Sequence, residues 1–215
     1  MQLTIREPGS AITHFIGCLM ALIAASPLLI KAHGNTTYML AMTIFATSMV
    51  LLYAASTIYH SICHVSAKVL RNFQKLDHMM IFVLIAGSYT PVCMIILGGR
   101  IGYTLLALVW GIAVAGIIVK GLWITCPKWF SSVLYISMGW VCVLAFTQIF
   151  HSLSPAAFGW LLAGGIIYTI GGIIYALKLP IFNSKHKNFG SHEIFHLFVM
   201  AGSACHFIVM YCYLI

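Results

Sequence analysis

Long apolar runs alternate with short polar connections along the chain. Seven of the runs reach spanning length, at about 10–30, 38–61, 78–97, 101–119, 131–150, 157–177 and 193–214. A membrane helix needs roughly 17–25 mostly apolar residues. Each run therefore predicts one span, and together they predict an all-α membrane protein with seven transmembrane helices. The connections are too short for a soluble module, so residues 1–215 are expected to form a single seven-helix domain. The first run follows Arg6 and could pass for a signal peptide, but six similar runs follow it and it is better read as a retained helix.

Finer features modulate that pattern. Pro91 falls inside the third run, where its ring removes a backbone bond and is expected to kink the helix. The sixth run repeats itself, Gly164-Gly-Ile-Ile-Tyr-Thr-Ile170 followed by Gly171-Gly-Ile-Ile-Tyr175. Glycines seven apart leave a smooth stripe that lets a neighbouring helix approach, so packing is expected there. The five tryptophans lie mostly towards the run ends, where an interfacial belt would place them.

Composition agrees with the pattern. Hydrophobic residues make up 62% of the chain and charged ones 7%, with a mean hydropathy of +1.03, more apolar surface than a soluble fold can bury. Cysteines 18, 63, 93, 126, 142, 205 and 212 form no CxxC pair and read as small buried hydrophobes. The net charge of +8 comes from the loops. Arg6, Lys68, Arg71, Lys75, Lys120, Lys128, Lys178, Lys185 and Lys187 fall on the N-terminal side of the membrane, against Lys31 and Arg100 on the other. The positive-inside rule then predicts a cytoplasmic N-terminus and an external C-terminus. The partner implied is the lipid bilayer with its anionic headgroups, not nucleic acid.

Orientation brings sparse polar residues to one depth. Ser56 and His60 fall in the cytoplasmic half of the second helix, Asp77 at the expected first turn of the third, and His192 and His196 in the first two turns of the seventh. His192 and His196 are four apart on one helix face, about 6 Å along its axis. Three imidazoles with an open position are the form of a catalytic zinc site, in which the pKa of a bound water falls to about 7. Asp77 could serve as general base or as a fourth ligand, and Ser56 lies one turn from His60 on the same face. Spacing leaves His60 and His64 as alternatives. Taken singly, Asp77 could instead cap a helix, Glu193 could be a solvated first-turn carboxylate, and the histidines could be interfacial. His14, His33, His78, His151, His186 and His206 read as loop, interface or packing residues. His192-Glu-Ile-Phe-His196 also spells the HExxH pattern of metalloproteases.

Three motifs carry a resemblance. Ser56-Thr-Ile-Tyr-His60, Leu76-Asp77-His78 with Ala86-Gly-Ser-Tyr-Thr-Pro91, and Ser191-His192-Glu-Ile-Phe-His196 resemble the bacterial haemolysin III proteins of the progestin and adipoQ receptor family, which includes the adiponectin receptors. Glu7, His14 and Cys205-His206-Phe207 fit the same pattern. The resemblance implies a multi-pass protein of the bacterial plasma membrane. It also implies zinc near the cytoplasmic end held by His60, His192 and His196, with Asp77 holding a metal-bound water and Ser56 beside it. It selects His60 over His64, and because relatives can carry glutamine at Glu193 it weakens the protease reading. Three functions follow as expectations: a zinc-dependent, ceramidase-like hydrolase of a lipid amide or ester held between helices; a non-enzymatic membrane-homeostasis or cytolytic protein with structural zinc; and, least favoured, an intramembrane metalloprotease using Glu193. A retinal protein is excluded, because the last helix holds no lysine for a Schiff base.

Overall fold

The computed structural model describes residues 5–177 and 190–215, and the regular elements among them are all helical. They are α1 (Pro8–Ala32), α2 (Thr36–Ser61), α3 (Ala67–Pro91), α4 (Gly99–Leu122), α5 (Lys128–Gly139), α6 (Phe146–Ser152), α7 (Pro155–Leu177) and α8 (Ser191–Val209). A π-helical segment, Val92–Leu97, extends α3, and another, Met210–Leu214, extends α8. The 3-10 segment Val141–Ala145 joins α5 to α6, so the eight helices make seven spans long and apolar enough to cross a membrane. Lys178, Lys185, Lys187 and His186 lie outside the described residues.

Local chemistry fixes the helix starts. Pro8 stands at the opening of α1, where its missing N–H is no loss. Asn35 Oδ1 accepts from Tyr38 N at 3.1 Å to cap α2, and Ser66 Oγ accepts from Val69 N at 3.4 Å to cap α3. The third helix thus begins eleven residues before its apolar run. Residues 67–76 carry Lys68, Arg71, Asn72, Gln74 and Lys75, so hydropathy misses this helical stretch. Asp77 consequently lies well inside α3, not in its first turn, and the cap is Ser66.

The helices pack in sequence from α1 to α4, α7 lies on α8, α8 returns to α1, and α5 bridges α3 and α7. Large aliphatic side chains such as Ile23, Val114 and Ile118 point outwards, while Ser48, Ser56, His60, Asp77 and Thr90 are buried. A lipid surround demands that inversion. The glycine stripe does pack: a Cβ at Gly171 would lie 2.7 Å from Phe198 Cβ, and one at Gly164 would lie 2.5 Å from the His206 ring.

Three expectations change. The fifth span is interrupted between Gly139 and Phe146, and Tyr89 of α3 serves the freed backbone groups. Its hydroxyl donates to Gly139 O at 2.7 Å and accepts from Cys142 N at 2.8 Å, which is how irregular backbone survives at membrane depth. Trp110 and Trp140 are not belt residues; each lies mid-span and donates its indole N–H, to Thr90 Oγ1 at 3.2 Å and Thr169 Oγ1 at 2.9 Å. Lys120 is not a loop charge. It is a buried residue of α4 whose ammonium donates to Ser131 Oγ at 2.5 Å and Cys126 Sγ at 3.1 Å.

Candidate metal centre

His60 occupies the last turn of α2, and His192 and His196 occupy the first two turns of α8. Packing of these helix ends brings one nitrogen from each ring within 4.8 Å of the others. The Nε2 atoms of His60 and His192 are 3.2 Å apart. A tetrahedral ion about 2.0–2.1 Å from each nitrogen would set its ligands about 3.3 Å apart, so the His60–His192 pair already stands at ligating distance. Three neutral nitrogen donors at a buried helix junction could hold a metal ion. His64 falls just beyond α2 in a left-handed conformation, φ 57°, outside the cluster.

The N-terminal segment reaches the same junction. Glu7 N–H donates to His60 O at 3.0 Å, and its carboxylate accepts from His60 Nδ1. That hydrogen bond holds the Glu7 carboxyl below the usual range despite partial burial. From α1, Thr13 Oγ1 lies 3.1 Å from His196 Nδ1, and the His14 ring stacks on His196 with centroids 3.5 Å apart. His14 is buried and neither of its ring nitrogens has a hydrogen-bond partner among the described residues. Beyond it Tyr53 and Tyr168 both bond Ser203 Oγ, at 2.7 and 2.8 Å.

The carboxylates divide in role. Asp77 is buried and lies outside the three-histidine cluster, but it shares with His192 and His196 the wall of one cavity. Glu193 is no solvated carboxylate: it accepts from Gly190 N at 2.8 Å and from buried Ser10 Oγ at 2.5 Å, closing the start of α8 onto α1. Ser56 is fully buried one turn before His60, and its hydroxyl has no hydrogen-bond partner among the described residues. The cavity measures about 190 Å³ and runs from Asp77 and His192 down α8 to His206, roughly 21 Å at 1.5 Å per residue. Leu84, Val92, Phe158 and Leu161 make its walls apolar, and Val143 and Phe146, both exposed, carry its lining to the side of the bundle.

Residues 3–207 match the family model described as Haemolysin-III related. The chain belongs to this family. It is 40% identical to "Hemolysin-3" of Bacillus cereus over all of this chain and 94% of that protein. It is also 40% identical to the "Hemolysin-3 homolog" of Bacillus subtilis, over 97% and 96% of the two chains. An adiponectin receptor protein of Drosophila melanogaster is 29% identical over 94% of this chain, which covers about half (49%) of that receptor. This member of the Haemolysin-III related family is thus a multi-pass membrane protein with wider kinship to the receptors. Sequence reasoning brought His60, His192 and His196 together and placed Asp77 near them. It gave Glu7 and His14 only as parts of a pattern, and it missed Thr13. The one available signal was their clustering just ahead of and within the first turns of α1.

Proposed function

We propose that this protein is a zinc-dependent hydrolase of a lipid amide or ester, with its site at the cytoplasmic end of the bundle as the loop charges indicate. The observation that carries this reading is the three-histidine cluster opening, beside Asp77, into a narrow apolar cavity. At about 190 Å³ the cavity is smaller than the roughly 300–1,000 Å³ of drug-sized pockets, which suits a single acyl chain. A bound zinc would supply Lewis acidity, polarising a carbonyl and acidifying water. The chain's own residues do the rest. His60, His192 and His196 would hold the ion through one ring nitrogen each. Asp77 holds the attacking water, accepts its proton and passes it to the leaving group. Ser56 offers a hydroxyl one turn from His60 that is unengaged among the described residues, and the apolar walls exclude bulk water from the reacting carbonyl.

The test is Asp77→Asn with a long-chain N-acyl amide and the matching ester in mixed micelles. Hydrolysis should be lost while bound zinc is retained, and unchanged turnover would refute the mechanism. The name of the Bacillus cereus relative favours a second reading, a cytolytic or membrane-homeostasis protein in which the ion only joins α2 to α8. In that case zinc binds, neither substrate turns over, and liposomes carrying the protein release a trapped dye.

A further inference from the structure

Three histidines make a metal site only if each presents a lone pair, and a neutral imidazole has two tautomers. The side chains around the cluster decide between them. The Glu7 carboxylate faces His60 Nδ1 and can only accept, so the proton belongs on Nδ1 and Nε2 is left bare towards His192. The main chain secures the same contact, because Glu7 N–H is bonded to His60 O. Thr13 makes the matching argument for His196. Its hydroxyl hydrogen is directed to carbonyls of its own helix, Ser10 O at 2.9 Å and Gly9 O at 3.0 Å. Towards His196 Nδ1 the Thr13 oxygen is therefore an acceptor, and that nitrogen too carries its proton. His192 differs, for its Nδ1 is buried with no hydrogen-bond partner among the described residues.

We infer that Glu7 and Thr13 are positioning residues: from the residue before α1 and from its second turn, which supply no ligand, they hold His60 and His196 in the Nδ1–H form and aim their Nε2 atoms at the metal. This inference rests on the metal reading above. Partners of this kind on ligand histidines are worth about 10–100-fold in metal affinity.

Two measurements on the full-length protein in detergent test it. The first is the 15N spectrum of ring-labelled, metal-free protein, with His60 and His196 assigned by substitution. Both should show Nδ1–H, and an Nε2–H tautomer at either would overturn the inference whatever the metal does. The second is zinc affinity by chelator competition, beside the melting temperature of the metal-free state. Glu7→Ala and Thr13→Val should each bind zinc about 10–100-fold more weakly, a loss larger than any fall in that melting temperature accounts for. Thr13→Ser, which keeps the hydroxyl, should restore affinity, and Glu7→Gln, which keeps an acceptor without the charge, should fall between. Wild-type affinity in both Glu7→Ala and Thr13→Val would overturn the inference and leave the metal site standing. Absence of zinc binding in the wild type would overturn the metal reading itself and with it the role assigned to these two residues.

Discussion

Glu193 distinguishes the readings of the HExxH letters most sharply. As a protease base it would act on a water beside the metal. In the structure both its oxygens are engaged elsewhere, one by Gly190 N–H and one by the buried Ser10 hydroxyl. Glu193→Ala removes both contacts. A helix-start contact is worth about 1 kcal/mol, typically 0.5–2. A hydrogen bond to a charged group is worth about 1.5–3 kcal/mol. The two share one half-buried carboxylate and do not add in full, so a loss of about 2 kcal/mol is expected. A chain of 150–250 residues shifts by about 2–4 °C per kcal/mol, so the melting temperature should fall by about 4–8 °C. Glu193→Gln keeps one acceptor oxygen and should lose about half as much. The assay is thermal unfolding in detergent beside bound zinc and lipid-amide turnover. Zinc and turnover should survive in both variants. A Glu193→Gln protein with wild-type melting temperature and zinc but no hydrolysis would refute the assignment.

Two further predictions test the architecture. Tyr89→Phe removes the acceptor of Cys142 N–H and the donor to Gly139 O at the break in the fifth span. It should cost about 1–3 kcal/mol in unfolding experiments, and wild-type stability would show that the break needs no such support. Gly171→Ala places a Cβ 2.7 Å from Phe198 Cβ between α7 and α8, so a loss of about 1–3 kcal/mol is expected in the same assay, and a stabilised variant would contradict the close packing.

How much of this was legible in the sequence depended on the kind of signal. The spans were legible because a bilayer sets their length, and most boundaries fall within a few residues of the apolar runs. The start of α3 was not, because residues 67–76 are helical yet polar, and helix propensity is silent in a hydropathy reading. Ser66 shows the cap only once the helix is seen to begin there. The break at Gly139–Ala145 was invisible for another reason. Its backbone is satisfied by Tyr89 from a helix some fifty residues earlier, and no local pattern records such a partner.

The candidate site divides in the same way. Loop charge placed His60, Asp77, His192 and His196 at one level, and the structure gathers the three imidazoles and sets Asp77 on the cavity that His192 and His196 line. The hydrogen bonds of Glu7 and Thr13, and the stacking of His14 on His196, depend on how α1 seats against α8, which periodicity does not specify. Lys120 teaches the converse. Counted as a loop charge, it is buried against Ser131 and Cys126, because the α4 helix runs past the end of its apolar run.

The central claim is that His60, His192 and His196 hold one zinc ion, and elemental analysis of purified protein tests it most directly. The wild type should carry about one zinc per chain, and His60→Ala and His192→Ala should each lose most of it while remaining folded. Zinc content unchanged by both substitutions, or absent from the wild type after purification without chelators, would contradict the account.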